Sequence, residues 1–301
     1  MDKYIGIDIG GTKCAVVEGE YDGEKLEILS KTAFPTDIND SPYNVMDKFS
    51  EIIEKSQNFK AIGISCGGPL NSEKGVVLCP PNLPKWTDIP ICDILKEKFG
   101  VPVYLQNDAN ACALAEWKLG AGRGSKNMFF LTFGTGFGAG IILNGNLYSG
   151  TNDMAGEIGH IRLTDTGPFG YGKDGSAEGY CSGGGIRNLG KMAGLDMTAK
   201  EIAEAAEKGD KTAIKVYETS GKYLGRTAAI IMDIFNPERI VIGSVFARSE
   251  KLLRPAMEAE IKKEALSYTR DCCKVVAAEL GDKIGDCAAI MTAAYGYTNN
   301  Y

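Results

Sequence analysis

The segment Asn107-Asp108-Ala109-Asn110 lies between an apolar, strand-like run at 101–105 and a helix-like run at 111–119. A carboxylate at the end of a strand and the mouth of a helix is well placed to take a proton as a general base. Asn107 or Asp108 could instead simply cap the helix, and from these four residues alone capping is the commoner outcome. Three glycine turns elsewhere shift that balance. Gly10-Gly11-Thr12-Lys13, Gly134-Thr135-Gly136 and Gly243-Ser244 each follow a strongly apolar strand-like run. Turns without side chains let backbone N–H groups approach a phosphate closely. Thr12 and Thr135 add hydroxyls and Lys13 an ammonium. Asp8, just before the first turn, could hold Mg²⁺, which prefers a carboxylate or two together with phosphate oxygens. A base among phosphate-holding turns is the equipment for phosphoryl transfer to a hydroxyl.

A further polar set fits a polyhydroxylated acceptor. Pro80-Pro81-Asn82-Leu83-Pro84 is a rigid loop carrying one amide that can both donate and accept. Gly156-Glu157-Ile158-Gly159-His160 places a carboxylate and the chain's single histidine three residues apart, and Glu178 follows in a loop rich in Gly and Tyr. Taken singly, a lone His is usually a satisfied structural ring, and Glu157 and Glu178 a solvated loop face. Two nucleotide-binding classes are excluded. Gly134-x-Gly136-x-x-Ala139 loosely fits a dinucleotide fingerprint, but that motif opens a helix and this segment continues as a strand. No GxxxxGK[ST] occurs, which rules out a P-loop.

The elements that must position these residues follow from periodicity. Strands are expected at 4–9, 13–17 and 25–29, with a hairpin at Tyr21-Asp22-Gly23, then a helix over 44–55 and a buried strand at 61–65. A helix near 91–99 precedes the 101–105 strand. The glycine-broken basic stretch 120–126 is the best candidate for a domain boundary. Beyond it, strand, Gly-Thr turn and strand recur at 128–143, a weak internal symmetry with the opening of the chain. Helices are expected at 185–192, 198–208, 213–235, 250–264 and 286–297, with strands at 239–242 and 273–278. This is an α/β protein, two-lobed with a central cleft.

Bulk properties agree with a catalytic globular protein. A chain of 301 residues can bury a large core and is long enough for two domains. The formal net charge of −6, with no basic run, argues against a nucleic-acid partner. Apolar stretches are too short to span a bilayer, and the strand beginning near Tyr4 leaves no room for a signal peptide. Nine cysteines without a CxxC pair read as reduced thiols. The expected location is the cytoplasm. For the vicinal Cys272-Cys273, a strand-like context favours burial.

Five segments together resemble the ROK family of bacterial sugar kinases and repressors, within the actin/hexokinase-like ATPase superfamily, which has a ribonuclease H-like fold. They are Gly6-Ile-Asp8-Ile-Gly10-Gly11-Thr12-Lys13, Pro81-Asn82-Leu83-Pro84-Lys85-Trp86, Asn107-Asp108-Ala109-Asn110, Gly134-Thr135-Gly136-Phe-Gly138 and Gly156-Glu157-Ile-Gly159-His160. The resemblance implies an N-terminal lobe of residues 1–119, with a C-terminal helix at 286–301 packing back on it, and a larger lobe of 120–285. It implies ATP-dependent phosphorylation of a hexose or N-acetylhexosamine, normally at C6, with Asp108 as base. Asn82, Asn107, Glu157, His160 and Glu178 match sugar contacts. Gly10, Gly11, Thr12, Lys13, Gly134, Thr135 and Gly136 match phosphate contacts, and Gly243 and Ser244 would lie near the nucleoside. Asp8 would help hold Mg²⁺. Glucose is the first-choice sugar. N-acetylmannosamine, fructose, mannose or allose, and a catalytically silent sugar sensor, are the alternatives. A homodimer or homotetramer is implied.

One departure stands out. The family's zinc motif CxCGxxGCxE is here Phe169-Gly170-Tyr171-Gly172-Lys173-Asp174-Gly175-Ser176-Ala177-Glu178, without its three thiolates. His160 alone cannot build a tetrahedral zinc site. The expectation is therefore no zinc, with aromatic packing by Phe169 and Tyr171 anchoring the loop. The repressors of the family carry a helix-turn-helix ahead of the first glycine turn, and none is expected here.

Overall fold

The computed structural model describes residues 1–299 and divides into two compact units. The first comprises residues 1–123, 147–155 and the chain from 282 onward; the second comprises 124–146 and 156–281.

The first unit opens with an antiparallel meander of β1 (Asp2–Ile9), β2 (Lys13–Tyr21) and β3 (Leu26–Pro35). Helix α1 (Pro42–Ile53) starts at an Ser41 cap with proline in its first turn, and buries Val45, Met46, Phe49 and Ile53. Strand β4 (Ile62–Cys66), buried at every position, pairs parallel to β1. A short hairpin, β5 (Leu70–Asn71) and β6 (Val76–Val77), precedes α2 (Ile91–Phe99), which ends at Gly100 in the left-handed conformation. Strand β7 (Val103–Asn107) pairs parallel to β4 and runs directly into α3 (Asp108–Leu119). The sheet order is β3-β2-β1-β4-β7. The C-terminal helix Ile284–Asn299 is buried throughout 287–296 and packs on α3 and on strands β1 and β4. Being apolar all round, it behaves as a core helix. Residues 300–301 of the expected 286–301 helix lie outside the described residues.

An unbroken lobe over 120–285 does not hold, because residues 147–155 belong to the first unit. Hydrogen bonds tie them there. The Leu147 N–H donates to Tyr295 Oη at 3.1 Å, Asn110 Nδ2 donates to Ser149 Oγ at 3.3 Å, and the Ser72 N–H and hydroxyl both donate to the Asp153 carboxylate at 2.7 Å.

The second unit repeats the strand–turn–strand opening with β8 (Met128–Phe133) and β9 (Phe137–Leu143), paired antiparallel and followed by β10 (Asn146–Leu147). A two-stranded hairpin, β11 (Phe169–Gly170) and β12 (Lys173–Asp174), leads to helices α4 (Ala177–Tyr180), α5 (Gly183–Met192), α6 (Ala199–Glu207) and α7 (Lys211–Phe235). Strand β13 (Arg239–Ile242), helices α8 (Val245–Glu264) and α9 (Ser267–Cys272), and strand β14 (Lys274–Ala277) complete the unit. The sheet order is β10-β9-β8-β13-β14, with β8, β13 and β14 parallel. In both units, then, an antiparallel hairpin around a glycine turn continues into parallel strands.

The short helix α9 was not expected. Asp233 holds it by accepting from Leu266 N–H at 3.1 Å and Thr269 Oγ1 at 2.5 Å. Cys272 closes this helix and is exposed, contrary to the expected burial, while Cys273 is half-buried. Among the described residues no helix is long and apolar enough to cross a membrane.

Candidate active site

The first unit gathers Asp8, the Gly10–Lys13 turn, Asn82, Asn107 and Asp108 at the C-terminal ends of its parallel strands. The turn is closed by Gly10 N–H donating to Lys13 C=O at 3.1 Å, and is pinned by Thr36, whose hydroxyl donates to Gly10 C=O at 2.6 Å. Gly11, Thr12 and Lys13 remain exposed. A Cβ on Gly11 would sit 2.8 Å from the Asn82 Cβ, so the absent side chain is what lets the Asn82 loop close against the turn. That loop hangs on two buried anchors, Leu83 and Trp86, each 3% exposed. Asn82, immediately before Leu83, is exposed.

The Asn107-Asp108 pair divides into a cap and a first-turn residue. Asn107 is the helix cap, its Oδ1 accepting from Ala109 N–H at 2.9 Å. Asp108 occupies the first turn of α3, exposed, with one oxygen 2.8 Å from the same N–H.

Asp8, near the end of β1, has its pKa raised to about 6. Burial is the main cause, followed by the negative charges of Asp108 and Asp286, against which Lys13 and Lys31 act. Asp286 is itself paired with Lys31 at 2.6 Å. Asp8 is thus a carboxylate set beside a phosphate-type turn, a donor chemistry suited to Mg²⁺ arriving with a nucleotide.

In the second unit three elements meet around Gly134-Thr135-Gly136. The Gly134 C=O accepts from Gly183 N–H at 2.8 Å, which sets the first turn of α5 against the loop. Ser182 caps α5, accepting from Gly185 N–H at 2.8 Å. Ser244 sits beside Gly134 with φ of 54°, a left-handed conformation that is costly for a non-glycine residue. The Gly183–Gly185 run was missed in the sequence. Its signal was a capping serine followed by three glycines at the start of a helix.

The second polar set is built on β9. Ala139 N–H donates to Gly156 C=O at 2.9 Å. A Cβ on Gly156 would collide with the Ala139 carbonyl, and one on Gly159 with the Phe137 carbonyl. The Gly-Glu-x-Gly-His spacing thus lays two bare positions on the strand and leaves Glu157 and His160 exposed. Glu178, in α4 behind its Ser176 cap, accepts from Phe137 N–H at 3.1 Å and Tyr171 N–H at 2.8 Å.

The zinc-loop positions are occupied differently from one another. Ser176, fully buried, donates to Gly170 C=O at 2.7 Å and accepts from Gly179 N–H at 3.0 Å. Tyr171 donates its hydroxyl to Glu157 Oε2 at 2.5 Å, and its ring meets His160 edge-on at 5.0 Å. Phe169 is 59% exposed and anchors nothing by packing, a correction to the expected aromatic pair; the buried Ser176 takes that part. Cys181 points away, its Sγ 4.0 Å from the Ser220 carbonyl of α7. Among the described residues no group of three or more His, Cys, Asp or Glu is placed to hold a metal ion.

Comparison with known proteins places the chain in a family. The ROK family profile matches residues 4–294. A glucokinase of Halalkalibacterium halodurans is 34% identical over 307 residues, covering 94% of this chain and 92% of the relative. The crystal structure of a ROK hexokinase from Thermus thermophilus superposes with a TM-score of 0.84 at 30% identity, covering 99% of both chains. A ROK family glucokinase from Streptomyces griseus, solved in complex with glucose and AMPPNP, gives a TM-score of 0.79 at 29% identity over 98% of this chain and 100% of that one. The chain belongs to the ROK family, among its sugar kinases of the actin-like ATPase fold.

Proposed function

We propose that this chain transfers the γ-phosphoryl group of ATP to the C6 hydroxyl of glucose. The observation that carries the reading is Asp108, exposed at the N-terminus of α3 and set in the same unit as the Gly10–Lys13 turn, Asn82 and Asp8. Its carboxylate takes the proton of the acceptor hydroxyl, that oxygen bonds to the γ-phosphorus, and the bond to the β-bridging oxygen breaks to release ADP. Asn82 and Asn107 of the first unit, and Glu157, His160 and Glu178 of the second, are the sugar contacts in this reading. Backbone N–H groups of the Gly10–Thr12 and Gly134–Gly136 turns, with Lys13, receive phosphate oxygens; Gly243 and Ser244 flank the nucleoside. Mg²⁺, when bound through Asp8, supplies charge neutralisation at the phosphates. The reading is supported by the glucokinases among the relatives and by the glucose and AMPPNP carried by the Streptomyces griseus protein.

The test is ADP release with Mg²⁺ across glucose, mannose, fructose, allose, N-acetylglucosamine and N-acetylmannosamine. Glucose should raise turnover far above the sugar-free rate and show the highest kcat/KM. A higher value for another sugar overturns the choice of glucose. Sugar binding by thermal shift without turnover on any of them overturns the kinase assignment.

A further inference from the structure

The turn of the β11–β12 hairpin is two residues long, because Phe169 pairs with Asp174 and Gly170 with Lys173. Both turn residues have positive φ, 47° at Tyr171 and 77° at Gly172. Such a turn normally draws Asn, Asp or Gly at its first position. A tyrosine held there is strained, and strain of this kind persists where surrounding contacts over-determine it. Here three contacts do so: the hydroxyl to Glu157, the backbone N–H to Glu178 and the ring edge on His160. The next strand adds a fourth link, Lys173 Nζ at 3.1 Å from His160 Nδ1. An ammonium can only donate, so Nδ1 must accept and the ring proton resides on Nε2.

We propose that Tyr171 and Lys173 are positioning residues for sugar recognition, organising without a metal the trio Glu157, His160 and Glu178. Lys173 holds the imidazole by Nδ1 so that Nε2–H is the donor offered to a sugar oxygen. Tyr171 fixes the two carboxylates, one through its side chain and one through its backbone, leaving their remaining lone pairs to accept from sugar hydroxyls. This rests on the reading of the trio as sugar contacts, so the test separates the two.

Steady-state kinetics with saturating ATP should show Tyr171→Phe and Lys173→Met each raising the KM for sugar by about tenfold, the scale of one charge-assisted hydrogen bond. The KM for ATP and the melting temperature should stay near the parent values, and Lys173→Arg should recover most of the loss. Unchanged sugar KM in both variants overturns the positioning role, provided His160→Gln and Glu157→Gln raise it. If those two also leave it unchanged, the sugar-contact reading itself fails. A second readout needs no substrate. The chain has a single histidine, so its ring ¹⁵N resonances are unambiguous in a long-range ¹H–¹⁵N spectrum of the intact protein. A proton on Nε2, with an Nδ1 shift marking an accepted hydrogen bond that is lost in Lys173→Met, is the expected result. A proton on Nδ1 in the parent protein overturns the role of Lys173.

Discussion

Asp108, just after β7, and Asp8, near the end of β1, are both carboxylates at strand ends, yet their surroundings differ. Asp108 is exposed at a helix N-terminus and suited to accept a proton; replacing it by Asn removes the basic oxygen while keeping the shape. Asp108→Asn should lower sugar-dependent turnover by roughly 10²–10⁴-fold, the usual worth of general-base catalysis, with the dissociation constant for sugar changed only a few-fold by calorimetry. Near-parental turnover would remove Asp108 from the chemistry. Asp8 titrates near about 6, above its ordinary 3.8, because the folded state buries it beside Asp108 and Asp286. The folded protein therefore holds that proton more tightly than the unfolded chain. Without Mg²⁺, the Asp8 contribution to stability falls as pH rises from about 4 to about 6 and is level above that. Asp8→Asn should stabilise the metal-free protein by roughly 1–3 kcal/mol above that window and by nothing below it. Denaturant melts below about pH 4 and above about pH 7 check this, and equal stability of variant and parent at the higher pH would contradict it. At this scale the carboxylates were legible because a strand–Asx–helix junction is local. Which of the two residues caps the helix was not, because both side chains approach Ala109 N–H and the choice depends on where the folded helix begins.

At the scale of elements, the Gly156–His160 segment and the β11–β12 hairpin show why spacing alone was informative. The glycines recur where the chain crosses β9 and a side chain would strike a backbone carbonyl. Gly159→Ala should cost about 2 kcal/mol or more in unfolding free energy, in the range of severe backbone conflicts, and should raise the KM for sugar through displacement of His160. An unchanged KM with full stability would mean that the segment gives way easily. The hairpin was expected to be anchored by two aromatic rings; one of them, Tyr171, is engaged, whereas the other, Phe169, faces solvent because its strand position turns outward while the small Ser176 fills the interior. Prolonged chelation followed by restoration of Mg²⁺ should leave turnover and melting temperature unchanged. Loss of either, recovered by zinc alone, would contradict a metal-free loop. The Gly183-Gly184 start of α5 and the helix α9 escaped notice for different reasons. Three glycines suppress the helix signal, and α9 is held by Asp233, 34 positions before its first residue, Ser267.

For the whole molecule, the chain crosses between its two units more often than a linear reading implied. Residues 147–155 return to the first unit through Tyr295, Asn110 and Ser72, and the last helix closes onto the opening strands. Tyr295→Phe removes the acceptor for Leu147 N–H and should lower unfolding free energy by about 1 kcal/mol in denaturant melts, the net worth of one buried hydrogen bond. No measurable change would mean that the other anchors of this segment suffice.

The amino-acid order by itself determined the α/β class, the glycine turns after apolar strands, Asp108 at a strand–helix junction and the loss of zinc thiolates. Each is written in residues adjacent along the chain, where periodicity, capping and turn chemistry operate. Only the tertiary structure decided that the Asp8 pKa is raised by burial and then by Asp108 and Asp286, that residues 147–155 join the first unit, and that Tyr171 and Lys173 reach Glu157, Glu178 and His160. Those outcomes arise from electrostatics and hydrogen bonds between segments far apart in sequence, whose meeting depends on how the intervening chain packs.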